Sequence, residues 1–91
     1  MEYEWIWVES YKPKVKSGLH GRVHVRPIAG GRYSTNLHVE CSKTFSDTEQ
    51  YPLGTKFLIK AKLTNREMGG EFLYSSYRWA PREVRTPRKL D

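Results

Sequence analysis

The sequence predicts an all-β fold: a small five-stranded antiparallel barrel or sandwich with at most one or two short helical turns. Two segments alternate almost perfectly between apolar and polar residues, which is the two-residue period of a half-buried strand. Three further segments are rich in aromatic and β-branched residues and are separated by turn-forming glycine and proline. The chain has 91 residues, 37% of them hydrophobic, which supplies one modest core and therefore one domain.

The first predicted strand covers residues 3–9 and has aromatic or β-branched side chains on both faces. Such a strand is covered on both sides or lies at a subunit contact, so the sequence favours a homo-oligomer. Trp5 and Trp7 share one face, and we expect at least one of them to pack inside. Residues 12–18 are expected to form a loop.

The second and third predicted strands, residues 19–26 and 33–41, carry the alternating pattern. We expect them to form a hairpin through residues 29–32, because a three-residue loop there brings their apolar faces together, whereas a two-residue turn would not. The hairpin gathers a set of polar side chains on its other face: His20, Arg22, His24, Arg26, Asn36, His38 and Glu40.

The remaining elements follow the same logic. Ser46 and Glu49 have the spacing of a capping box, so a helical turn is expected to begin at Ser46. Strands are predicted at residues 55–64 and 71–79, with a glycine-containing turn at residues 65–70 between them.

Residues 1–80 are predicted to be the single β domain, and residues 81–91 a basic, flexible tail. The inward positions of the alternating segments define the predicted core: Val23, Val25, Leu37, Val39, Phe57, Ile59 and Leu63. Cys41 falls on the same apolar side, where a thiol behaves as a small buried hydrophobe.

Charge is distributed unevenly along the chain. Sixteen Lys and Arg residues against ten Asp and Glu give a net charge of +6, and no acidic residue lies between Glu9 and Glu40. The tail is basic as well. Clustering of this kind suits an anionic partner, although a net charge of this size also serves solubility.

The polar face of the predicted hairpin admits three interpretations. His20, His24 and His38 beside Glu40 and arginines could provide acid–base catalysis of phosphodiester cleavage or ligands for Zn²⁺. Together with Arg22 and Arg26, the same residues could bind an anion or a nucleic acid. The third interpretation is a solvated face, which any two-faced antiparallel sheet has.

Aromatic residues interleave with basic ones along the predicted strands. Rings on a barrel strand can stack nucleobases while lysines neutralise phosphates, which makes Trp5, Lys60 and Lys62 candidate binding residues. The lysines, with Lys56, could equally form a solvated stripe that protects a strand edge from aggregation.

Three C-terminal segments form a pattern. Residues 52–57 read Pro-Leu-Gly-Thr-Lys-Phe, residues 61–67 read Ala-Lys-Leu-Thr-Asn-Arg-Glu, and residues 69–79 read Gly-Gly-Glu-Phe-Leu-Tyr-Ser-Ser-Tyr-Arg-Trp. This pattern resembles one that recurs in short uncharacterised bacterial proteins. The resemblance implies a bacterial source and a shared strand–turn–strand unit, and no activity. In size and architecture the chain is also similar to SH3-like or OB-like barrels, an analogy of fold alone.

We therefore expect a non-enzymatic binding module that contacts nucleic acid through a basic and aromatic surface. The alternatives are a homo-oligomeric interaction or accessory protein and a small nuclease-like enzyme. Gly-rich phosphate loops, Ser-based elbows and Cys-x-x-Cys pairs are lacking, which disfavours an enzyme without deciding the question, and no cofactor is expected. With one cysteine, no signal-peptide pattern and no apolar run of about 20 residues, the sequence predicts a cytoplasmic protein outside the membrane.

Overall fold

The computed structural model describes residues 2–13, 22–66 and 69–87. Within these ranges the chain is all-β, and its only helix is a 3₁₀ turn at Lys43–Ser46. The strands are β1 (Glu4–Tyr11), β2 (His24–Pro27), β3 (His38–Glu40), β4 (Lys56–Arg66), β5 (Gly70–Tyr74) and β6 (Glu83–Arg85). The predicted fold class, a small all-β barrel-like domain, is confirmed. The described chain has six strands, where the sequence predicted five.

The strands form one sheet in the order β2-β1-β4-β5-β3, and β6 pairs with β4. The outermost strands of this order, β2 and β3, contact each other, so the sheet curls almost into a closed barrel. β1 pairs antiparallel with both β2 and β4, and β4 pairs antiparallel with β5 and β6. The β3–β5 pair is parallel, which departs from the all-antiparallel prediction.

The predicted hairpin of the second and third strands is wrong. β2 pairs with β1 and sets Val25 opposite Ser10 and Pro27 opposite Val8, and all four of these side chains are buried. Between β2 and β3 the chain turns twice, with hydrogen bonds from the Gly31 amide to the Ile28 carbonyl (3.4 Å) and from the Leu37 amide to the Ser34 carbonyl (3.2 Å). These turns replace most of the expected strand 33–41, of which only His38–Glu40 is extended as β3.

The core is built on the inward face that the neighbouring strands β1 and β4 share. Ile6 is opposite Ile59 and Val8 is opposite Phe57, and all four side chains are buried. Among the described residues, the buried hydrophobic cluster consists of Ile6, Val8, Val25, Val39, Phe45, Phe57, Ile59, Ala61 and Leu73.

Four of the seven predicted core residues are in this set, and Leu37 and Leu63 pack against it. Val23 is only half-buried. The expectation that Trp5 or Trp7 packs inside is wrong: alternation turns Ile6 and Val8 inward, so both indoles face outward and Trp5 is 47% exposed.

The 3₁₀ turn ends where the sequence predicted a helical turn to begin. Ser42 caps it by accepting a hydrogen bond from the Thr44 amide (3.3 Å). The turn buries Phe45, whose ring stacks on that of Phe57 at 4.5 Å between centroids. Asp47 accepts a hydrogen bond from the Glu49 amide (3.1 Å), so the predicted capping box is a local turn.

The segment predicted as a tail contributes a strand. Glu83–Arg85 pairs with residues 56–58 of β4, and the Arg82 amide donates to the Leu58 carbonyl at 2.8 Å. The strand predicted at residues 71–79 ends at Tyr74, and the connection that follows leads the chain back across β4. Residues 88–91 lie outside the described ranges.

Candidate functional site

The sheet presents a broad outer surface opposite the core. The register sets Trp5 beside Lys60, Trp7 beside Leu58 and Glu9 beside Lys56. We call this surface the outer face. It consists of Tyr3, Trp5, Trp7, Glu9, Arg26, Lys56, Leu58, Lys60, Lys62, Trp79, Arg82, Glu83 and Arg85.

Cationic groups on the outer face lie over aromatic rings. The Arg82 guanidinium is 5.3 Å from the centroid of the Trp5 ring, and that of Arg85 is 4.9 Å from Trp7. Lys60 Nζ lies 5.4 Å from the Trp79 ring. A cation within about 6 Å of a ring centroid is attracted by the ring quadrupole. The aromatic and basic groups therefore alternate in space, with charge held beside exposed π surface.

Lys62 and Tyr3 extend this arrangement of cations over rings beyond the first residue of β1. Lys62 Nζ lies 4.9 Å from the Tyr3 ring, which forms a T-shaped pair with Trp79 at 5.0 Å between centroids. Tyr3 is therefore shared between a lysine and a tryptophan, and the row of rings runs from β1 to the connection between β5 and β6.

The charge of the outer face is predominantly positive. Six of its members carry a cation, and only Glu9 and Glu83 carry a carboxylate. Arg26 Nε donates to Glu9 Oε2 at 3.0 Å, and Arg85 lies 3.7 Å from Glu83. Because each carboxylate already has an arginine beside it, Arg82 and the three lysines supply most of the positive potential that an approaching ligand meets.

Only part of the polar face predicted from the second and third strands is assembled. Arg22, His24, His38 and Glu40 are exposed and line one groove of about 560 Å³. We call this the groove; it lies between β2, β3, the 3₁₀ turn and the end of β5. His20 lies outside the described residues. Arg26 is on the same side of β2 as His24, but it pairs with Glu9 on the outer face and does not line the groove.

The groove lacks an activated thiol. Cys41 also lines it, and burial raises the pKa of this thiol from 9.0 to about 12. A thiol with that pKa stays protonated at neutral pH and is a poor nucleophile. Among the described residues, no group of three or more His, Cys, Asp and Glu side chains is arranged to hold a metal ion.

Trp5, Lys60 and Lys62, named from the sequence as candidate binding residues, lie together on the outer face with Arg26. The sequence reasoning missed Trp7 as a member of this surface, although its spacing from Trp5 was a usable signal. The sequence could not place Trp79, Arg82 and Arg85 on this surface, because their position depends on the chain returning across β4 after β5.

Comparisons with protein-family models, with curated protein sequences and with solved structures returned no match to this chain. The bacterial source and the cytoplasmic location therefore stay predictions. The described residues contain no helix that is both long and apolar enough to traverse a bilayer.

Proposed function

We propose that the protein is a non-enzymatic binding module for single-stranded nucleic acid, which it contacts through the outer face. The observation that carries this proposal is the interleaving of rings and cations: Trp5 beside Lys60, and Tyr3 between Lys62 and Trp79. Proteins that bind single strands combine a positive surface for the phosphates with aromatic side chains on which bases stack.

The shape of the outer face favours unpaired over paired strands. The major groove of duplex DNA admits a helix or a two-stranded ribbon, whereas the outer face extends across β2, β1, β4 and β6. Exposed rings on a sheet reach the faces of splayed bases, which a duplex keeps stacked.

A homo-oligomeric accessory protein remains the alternative. Trp5 (47% exposed) on the outer face and Val84 (39% exposed), which the register sets beside Phe57 on the other side of the sheet, each provide apolar surface that a second copy could cover. Ile6 and Val8, however, are buried within the protomer, so the two-sided character of β1 no longer requires a partner. Two outer faces placed against each other would also oppose like charges, which disfavours that pairing. Self-association stays a prediction, and light scattering over a concentration series measures it.

The test measures binding of a fluorescently labelled oligothymidylate by anisotropy between about 50 and about 300 mM salt. The logarithm of the binding constant should fall linearly with the logarithm of salt, with a slope of roughly −0.7 per phosphate contacted. The double variant Lys60→Ala/Lys62→Ala should bind more weakly, and its slope should be shallower by about one to two contacts.

Arg22→Ala/Lys43→Ala is the matched control, because it also removes two exposed cations but takes them from the groove. Its affinity and slope should equal those of the wild type. If only the groove variant changes the salt slope, the oligothymidylate binds in the groove and the outer face is the wrong site. Absence of binding at low salt up to about 100 μM, where even non-specific binders associate, would overturn the proposal.

A further inference from the structure

A shallow slot of about 360 Å³, largely open to solvent, lies on the outer face and is lined by two indole rings. Trp5 of β1 and Trp79 of the β5–β6 connection both line it, together with Lys60, Arg78 and Ala80. Ligand pockets have volumes from about 300 Å³ upward, so the slot is of a size for one small planar group.

Contacts outside the slot hold its walls in place. Tyr3 packs against Trp79 at 78° between ring planes, and the Trp79 amide donates to the Ser76 carbonyl at 3.1 Å. Farther along, the Arg82 amide donates to the Leu58 carbonyl at 2.8 Å. The segment that carries Trp79 is thus fixed by contacts on both sides of this residue. Trp5 is fixed by the backbone pairing of β1 with β4.

The chemistry of the lining indicates a planar ligand that carries negative charge. Aromatic cages also recognise quaternary ammonium groups, but Lys60 and Arg78 would repel a cation here. Arg82 covers part of Trp5, yet it does not line the slot, and neither do Trp7 and Arg85. The slot therefore offers indole surface with two cations at its rim.

We infer that the slot accepts a single unpaired nucleobase, which stacks on Trp5 or Trp79 while Lys60 and Arg78 contact the flanking phosphates. The inference rests on the proposed function and adds the site at which one base is taken out of the strand. A base in a duplex reaches such a site only after unstacking and unpairing. The slot therefore favours binding of single strands over binding of duplexes.

The experiment compares three tryptophan variants and two ligands. Trp79→Ala and Trp5→Ala remove a wall of the slot, and Trp7→Ala removes an outer-face indole outside it. The ligands are an oligothymidylate and an oligomer of the same length made only of abasic deoxyribose phosphate. Circular dichroism verifies that each variant is folded, and Trp79→Phe tests rescue by a smaller ring.

The wild type should bind the oligothymidylate more tightly than the abasic oligomer. Trp79→Ala and Trp5→Ala should each lose about 5- to 150-fold in affinity for the oligothymidylate, with an unchanged salt slope. They should bind the abasic oligomer as the wild type does. Trp7→Ala should lose less, and Trp79→Phe should recover part of the lost affinity.

The inference is overturned if the wild type binds both oligomers equally, or if Trp7→Ala loses as much affinity as the slot variants. In either case salt-dependent binding of the oligothymidylate would leave the proposed function standing. Failure of the wild type to bind the oligothymidylate at all would remove the proposed function itself. If Trp79→Ala does not fold, Trp5→Ala decides between these outcomes.

Discussion

The outer face and the groove are both rich in basic side chains, but they are built in different ways. The outer face rests on β1 and β4, which have 8 and 11 residues, and six consecutive backbone pairs align them. The groove rests on β2 and β3, which have 4 and 3 residues, and on turns. Long paired strands convert a pattern of alternating residues into rows on a surface. Short strands leave the placement of side chains to the loops around them.

The same contrast separates the chemistry of the two regions. On the outer face, arginines and lysines lie over tryptophans, so charge and π surface are offered together. The groove collects imidazoles, a carboxylate and a thiol whose pKa is raised by burial. We therefore propose the outer face, and not the groove, as the surface that binds nucleic acid. The following predictions test how far the two regions differ in stability and reactivity.

The largest expected effect is the loss of folding stability when core residues of β4, under the outer face, or of β2, beside the groove, are truncated. Phe57 of β4 is fully buried and contacts the rings of Phe45 and Tyr51. Its replacement by alanine should lower the free energy of unfolding by about 3 to 5 kcal/mol. Val25→Ala in β2 should cost about 2 kcal/mol, because less apolar volume is removed. Urea denaturation measures both values. Equal losses would show that β2 is as important for the core as β4.

A second prediction concerns Cys41 in the groove, where burial raises the thiol pKa from 9.0 to about 12. Above about pH 9 the unfolded chain loses this proton while the folded chain keeps it, so the free energy of unfolding falls as the pH rises towards 12. Relative to Cys41→Ala, the wild type should lose up to about 1.4 kcal/mol per pH unit in that range.

Urea denaturation of the wild type and of Cys41→Ala at several pH values provides the measurement. The difference between their free energies of unfolding should be constant from about pH 6 to about pH 8. The folded thiol should also react with iodoacetamide much more slowly than the thiol in urea. Rapid alkylation of the folded protein at neutral pH would indicate a reactive thiolate and would restore the groove as a candidate catalytic site.

The smallest effect is expected for the ion pair at the margin of the outer face. Arg26 and Glu9 are partly exposed, with 37% and 20% of their side-chain surfaces accessible, and Arg26 also lies 4.3 Å from the Tyr11 ring centroid. A double-mutant cycle with Arg26→Ala and Glu9→Ala should give a coupling energy of about 0.2 to 1 kcal/mol. A coupling of several kcal/mol would mean that this margin, and not the core, holds β2 against β1.

The fold class and the two faces of β4 follow from the order of residues along the chain. Phe57, Ile59 and Ala61 are buried, and Lys56 and Lys60 are exposed, because neighbouring side chains of any strand point to opposite sides. The same rule places Trp5 beside Lys60 once β1 and β4 are paired. Alternation and composition were therefore sufficient to choose Lys60 and Trp5 as candidate binding residues.

Which strands pair, in contrast, is a property of the tertiary structure. Alternation gives the inward face of β2 and β3 but does not identify their neighbours, because backbone hydrogen bonds are the same for every partner. The burial of Val25 against β1, the parallel alignment of Val39 with Leu73, and the return of residues 83–85 to β4 depend on contacts distant in sequence. The slot between Trp5 and Trp79 is a product of that return.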